Sequence, residues 1–197
     1  MSKAELTKQR IIERSAEVFN QFGYAGTSMA ELMKATGLKK GGIYNHFASK
    51  DELAIAAFNY SVGIVQQRYA EALKGDRLAL SRLQAVIETF CTTIAEEPVM
   101  KGGCPLMNTA VDSDDAHEGL KQQAQAAMTR WRTMLTKIVR YGQKRGEVVA
   151  VEPDKVATIV ISTLEGAVMM SGLYGDRTYL NHARAHLLSY IETLRVP

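Results

Sequence analysis

The chain has little of what a small secreted domain needs. Among 197 residues there are two cysteines, Cys91 and Cys104, too few to staple a disulfide scaffold. The opening MSKAELTKQR has no apolar signal core, so a cytoplasmic location is expected. Proline occurs only at 98, 105, 153 and 197, and no long run alternates with period two, which leaves strands unsupported. Aromatic residues are sparse at 7%, one of them tryptophan, while methionine is plentiful at nine. No repeat or low-complexity tract is present. The apolar (46%) and charged (23%) fractions exclude wholesale disorder and collagen-like structure. The length suits one large domain or an ordinary domain with a small one, enough to bury a core.

The net charge of +3 is unevenly placed. Residues 1–50 hold eight Lys/Arg against four Asp/Glu, a net +4, and residues 51–197 hold sixteen against seventeen, a net −1. The excess positive charge therefore sits in the first quarter, as a polyanion-binding segment requires.

Apolar spacing predicts helices nearly throughout. One runs from Lys8 (Ile11, Ile12, Ala16, Val18, Phe19, Phe22) and stops at Gly23. A short one follows from Ser28 to Gly37, and a third is marked by Ile43 and Phe47. The fourth spans Asp51–Lys74, capped by Ser49 and ended by Gly75-Asp76. Further helices are expected at Arg77–Glu96, from Pro105, near Ala116–Arg145, at Asp154–Leu173 and at Thr178–Leu194. Val156–Gly175 carries one charge, Glu165, and is nearly long enough to span a bilayer. Its Thr, Ser and Gly content makes a poor membrane helix, so a helix covered on one side by its own core and on the other by a second subunit is expected.

Residues 28–47, SMAELMKATGLKKGGIYNHF, have the form of a helix-turn-helix: a short amphipathic helix, a glycine-containing turn and a second short helix. In such a motif the second helix enters the major groove. Lys39 and Lys40 place positive charge at its start, and Gly41 and Gly42 leave the backbone open to close approach. With Ile43 and Phe47 facing inward, Tyr44, Asn45 and His46 point outward. Tyr and His suit phosphate oxygens, and Asn can pair with adenine.

Residues 8–54 resemble the DNA-binding head of the tetracycline-repressor-type (TetR) transcriptional regulators. The resemblance lies in Ile11, Ala16, Phe19, Gly23, Thr27, Ser28, Met29 and Leu32, and in the run from Gly37 to Leu53 with Tyr44-x-His46-Phe47-x-x-Lys50-Asp51-x-Leu53. It departs at Lys39, where a capping Ser is common, and at Met33, where Ala is usual. The resemblance implies an all-α protein of about nine helices: a three-helix head, residues 1–50, and a ligand-binding and dimerisation body, residues 51–197. It implies DNA contacts from Thr27, Ser28, Lys39, Lys40, Gly41, Tyr44, Asn45, His46 and Lys50. It further implies a homodimer through Asp154–Leu173 and Thr178–Leu194 on inverted-repeat double-stranded DNA, a small-molecule effector, and most often repression. No membrane, metal, cofactor or catalytic residue is expected.

Candidate effector contacts are Tyr60, Phe90, Cys104, Met107, Asn108, Trp131, Met134, Glu165 and Met169, an adaptable apolar set with a few polar anchors. Cys104, just before Pro105, reads first as a small buried residue at a tight junction, and two alternative roles stand beside that. It sits at a helix N-terminus, where a thiolate is stabilised and senses electrophiles, and a Cys-dependent enzyme would use it as nucleophile. No Cys/His signature surrounds it. His182 and His186 are spaced as metal ligands but lack an evident third partner, and Asp112, Asp114 and Asp115 suit a turn and cap.

Overall fold

A computed structural model describes residues 2–75, 78–96, 98, 100–113 and 117–197, with 95 and 96 as backbone alone. Among them lie nine α-helices: α1 (Lys3–Gly26), α2 (Met29–Thr36), α3 (Lys40–Tyr44), α4 (Lys50–Ala72), α5 (Ala79–Cys91), α6 (Pro105–Asp112), α7 (Glu118–Lys144), α8 (Pro153–Tyr174) and α9 (Thr178–Glu192). Asp76, Arg77, Asp114, Asp115 and Ala116, expected at helix ends and in the acidic run, lie outside the described residues.

Two helices, α1 and α5, differ from expectation. α1 begins five residues earlier because Ser2 and Glu5 form a reciprocal capping box, Ser2 Oγ accepting from the Glu5 N–H and the Glu5 carboxylate from the Ser2 N–H. The expected stop at Gly23 is a kink (φ 70°), after which one more helical turn follows. Beyond Cys91, the expected continuation of α5 widens into a π-helical turn over Thr92–Glu96.

The chain divides into two compact units. The first, Met1–Ile64 with Met100–Ala127, holds α1 to α3, the start of α4, α6 and the start of α7. Its core is Ile11, Leu32, Ile43, Phe47 and Leu53. α6 is fastened to α1 by polar groups. The Asn20 amide donates to the carbonyls of Lys101 (2.7 Å) and Gly103 (3.1 Å). The Asn108 amide lies within bonding distance of the Gly102 carbonyl (2.7 Å) and of both Asn20 oxygens. Asp112 accepts from the Tyr24 N–H at 2.6 Å. Gly102 is required here: its φ is +103°, and a Cβ would stand 2.6 Å from the Asn20 carbonyl oxygen.

The second unit, Val65–Val99 with Met128–Pro197, packs α5, α8 and α9 with the remainder of α7. Leu83, Val86, Ile87, Leu135, Val160, Leu164 and Leu187 are fully buried in it. α5 has no capping side chain of its own; the Glu147 carboxylate, arriving from beyond α7, accepts from the Ala79 N–H at 2.7 Å. α8 is the one helix among the described residues long and apolar enough to cross a membrane. It buries Val156, Val160, Leu164, Ala167 and Val168 within its own unit and leaves Met169, Leu173 and Tyr174 exposed.

Candidate nucleic-acid interface

The helix-turn-helix is built by local chemistry. Ser28 caps α2 and Glu31 completes the capping box. Gly37 closes it in the left-handed conformation (φ 73°), its N–H donating to the Met33 carbonyl at 2.9 Å. Thr36, buried in the turn, donates its hydroxyl to the Leu32 carbonyl (2.7 Å) and accepts from the Leu38 N–H (3.3 Å). α3 then starts at Lys40. Ile43 and Phe47 anchor it in the core, and the Phe47 N–H returns to the Ile43 carbonyl.

That anchoring leaves Lys39, Lys40, Gly41, Tyr44 and Asn45 exposed and His46 half-buried. Lys40 Nζ lies 5.8 Å from the centre of the Tyr44 ring. A Cβ on Gly41 would meet nothing within 4 Å, so no packing inside the chain demands glycine there. Ser28 is exposed beside this surface, its hydroxyl engaged as the cap of α2.

Two members of the expected contact set stand differently. Thr27 is 1% exposed and donates its hydroxyl to the Gly23 carbonyl at 2.6 Å, so its side chain braces the α1 kink instead of facing outward. Lys50 is half-buried; Nζ donates to the Tyr24 carbonyl at 2.6 Å and lies 4.1 Å over the Tyr24 ring. Tyr24 is a structural centre that sequence reasoning misses. Its hydroxyl donates to Asp51, its ring meets His117 edge-on at 4.6 Å, and burial together with the Asp51 bond pushes its pKa up to about 12. No periodic pattern marks such a residue; its one local signal is the glycine before it.

The expected effector contacts divide between the units. Tyr60, Cys104, Met107 and Asn108 belong to the first; Phe90, Trp131, Met134, Glu165 and Met169 belong to the second. Asn108 is occupied as a clasp between α6 and α1. Cys104 is 5% exposed at the start of α6. Phe90 and Trp131 stack at 5.3 Å, with Tyr69 beyond at 6.2 Å. The Trp131 Nε1 and Thr93 Oγ1 are buried with no hydrogen-bond partner among the described residues. Glu165 is buried in α8, whereas Met169 is 55% exposed on it. The cleft beside α1 and α6 in the first unit has room for only about 30 Å³, the share of roughly one water. His182 and His186 are exposed on α9, and no group of three metal-binding side chains occurs among the described residues.

A buried three-helix core that presents an exposed basic helix after a glycine turn defines a DNA-binding protein of the helix-turn-helix class. Residues 11–57 match the family described as bacterial regulatory proteins, tetR family, and residues 79–187 match the tetracyclin repressor-like C-terminal domain. A TetR transcriptional regulator from Chloroflexus aurantiacus is 40% identical, with both chains fully covered and a TM-score of 0.95. The HTH-type transcriptional regulator LmrA of Bacillus subtilis is 24% identical over 181 residues, 89% of this chain and 92% of LmrA. The HTH-type transcriptional repressor DhaR of a Mycobacterium species is 22% identical over 176 residues, 88% of this chain and 86% of DhaR. The chain belongs to the TetR family of transcriptional regulators. Members of this family bind operator DNA, typically respond to small-molecule effectors and function as dimers; they are soluble cytoplasmic regulators, not enzymes.

Proposed function

We propose that the chain is a repressor that binds an inverted-repeat operator as a homodimer and is released by a small apolar or amphipathic effector. Its functional division is a DNA-binding head, residues 1–50, and an effector-binding and dimerising body, residues 51–197. The observation that carries the reading is the outer face of α3, where Lys39, Lys40, Tyr44 and Asn45 are exposed around an unobstructed Gly41. Glycine in a helix costs about 1 kcal/mol relative to alanine; with nothing inside the chain needing the space, close approach of a ligand explains the choice.

Asn45 with Lys39 or Lys40 reads base edges, and Tyr44, His46 and Lys50 hold phosphates. Lys50 serves twice, since the same ammonium ties α4 to the Tyr24 carbonyl. The effector site is best supported around Phe90 and Trp131, whose buried indole N–H offers one hydrogen bond to an acceptor on an otherwise apolar ligand. Release is a population shift: turning an equilibrium from 1:99 to 99:1 requires about 5.5 kcal/mol of preference for the non-binding state.

Titrating operator and scrambled duplexes over several salt concentrations tests the head. Lys50→Ala is expected to weaken binding to both duplexes alike and to lower the slope of log K against log salt by about one for each phosphate that the lysine neutralises. Asn45→Ala is expected to cost about 1–3 kcal/mol per half-site on operator and much less on scrambled DNA. Equal losses on both duplexes for Asn45→Ala would remove α3 from the role of reading helix.

A further inference from the structure

The second unit carries a surface groove of about 580 Å³ between the start of α5 and one face of α7, a volume typical of small-molecule sites. Arg82 enters it from α5; Arg130, Met134, Lys137, Ile138 and Tyr141 enter it from α7. Those five share a face because they fall at i, i+4, i+7, i+8 and i+11 of the helix. Ile138 is buried and forms the floor, whereas Tyr141 stands at the rim. The Tyr141 hydroxyl accepts from Arg145 at 2.8 Å, which fixes that end.

Two neighbouring cations are matched: Arg132 on α7 pairs with Asp154, and Arg145, just beyond the helix, pairs with Glu147. Among the described residues, Arg82, Arg130 and Lys137 pair with no carboxylate, and no carboxylate lines the groove. Arg82 Nε is moreover buried without a hydrogen-bond partner among those residues. Three cations that repel one another beside an apolar floor, with one guanidinium N–H out of water and unbonded, form an incomplete arrangement.

We propose that this groove binds an amphipathic organic anion. Its carboxylate or phosphate head lies among Arg82, Arg130 and Lys137, and its apolar body lies along Met134, Ile138 and Tyr141. The guanidinium fork suits either head, since both accept paired hydrogen bonds. A simple inorganic anion leaves the floor wet, and a neutral amphiphile leaves the cations unmatched; only a ligand with both parts satisfies the groove. The inference stands apart from repression and operator reading.

Calorimetric titration of the full-length protein with octanoate, octyl phosphate, octanol and inorganic phosphate tests it. Octanoate or octyl phosphate is expected to bind about tenfold more tightly than octanol or inorganic phosphate. That binding is expected to weaken as salt rises. The exposed double variant R130Q/K137Q is expected to lose about tenfold in affinity for the preferred anion, and Lys144→Gln, outside the groove, to lose nothing. Tighter binding of octanoate assigns a carboxylate head, and tighter binding of octyl phosphate a phosphate head. Octanol binding as well as the anions, or unchanged affinity in R130Q/K137Q, overturns the proposal. So does displacement of the anion by a scrambled duplex whose own affinity falls with R130Q/K137Q, which makes the surface a nucleic-acid contact instead.

Discussion

Asn108 can be tested as a clasp rather than an effector anchor. Its amide has two hydrogens and three oxygens in reach, the Gly102 carbonyl at 2.7 Å, the Asn20 carbonyl at 3.1 Å and Asn20 Oδ1 at 3.2 Å. At most two good bonds form at once. At about 1 kcal/mol net for each neutral bond, Asn108→Ala is expected to destabilise the protein by about 2 kcal/mol. For a chain of this size that lowers Tm by roughly 4–8 °C. Asn20→Ala removes the bonds to Lys101 and Gly103 as well, so its loss is at least as large. Because the two amides share a bond, the double variant is expected to lose about 1 kcal/mol less than the sum of the singles. Thermal unfolding of all four proteins, followed by circular dichroism and calorimetry so that two-state behaviour is checked, reads the cycle. An Asn108→Ala protein as stable as the parent, or singles that add, would refute the clasp and return Asn108 to the effector contacts.

Leu173, 73% exposed on α8, is expected to lie in the dimer interface, so Leu173→Glu shifts the protein to monomer in sedimentation while helical content is retained. Ala167→Glu, by contrast, places a charge at a position 7% exposed within the single chain and unfolds it; a dimeric Leu173→Glu protein would take this stripe out of the interface. The backbone bond from Ala79, helped by Arg145, holds the Glu147 carboxyl below its usual pKa. A group depressed in the folded state stabilises above its unfolded pKa, and that contribution is lost as pH falls through its folded value. Glu147→Gln is therefore expected to be less stable at neutral pH and to lose less stability on acidification below about pH 4.5. Parallel stability–pH curves for the two proteins would contradict that cap.

The head is legible in the sequence because its signals are local. Ser28 with Glu31, Gly37, and the four-residue spacing of Ile43 and Phe47 act within a few residues of one another, and each does in the structure what its type suggests. Ser2 with Glu5 carries the same capping signal, but it precedes the apolar periodicity that marks the rest of α1, and so the helix begins earlier than expected. What a sequence does not display is polar pairing over long separations. Asn20 meets residues 81 to 88 positions away, and Tyr24 meets Asp112 across 88. Neither leaves a period, and Asn, Asp and Tyr at such positions read equally well as surface residues. The same limit explains Thr27: a threonine before a capping serine has the composition of a surface contact, and only the kink at Gly23 supplies the carbonyl that takes its hydroxyl inward. The effector set is the least legible, because residue types suited to a pocket are also those suited to a core or a subunit interface. Phe90 is core-buried and Met169 exposed, though the same residue-type argument selects both.

These long-range pairs bear on how an effector signal reaches the head. Two of the three places where the chain passes between its compact units fall inside unbroken helices, in α4 after Ile64 and in α7 after Ala127; the third falls before Met100. Just past that third passage come Gly102 and Gly103, both in left-handed backbone, whose carbonyls are held by Asn108 and Asn20. α6 is therefore bound to α1 by side chains of both helices, and α1 forms the reading core with α2 and α3. At about 1 kcal/mol each, the bonds joining α1 to α6 and its lead-in sum to the same order as the roughly 5.5 kcal/mol that a clean switch demands. A clasp of that strength is firm enough for a displacement of α6 to carry α1 with it, yet weak enough that an effector's binding energy can break it. Weakening it through Asn108→Ala should thus separate effector binding from operator release: if the clasp transmits, the variant binds effector with undiminished affinity but is released from operator less completely at saturation.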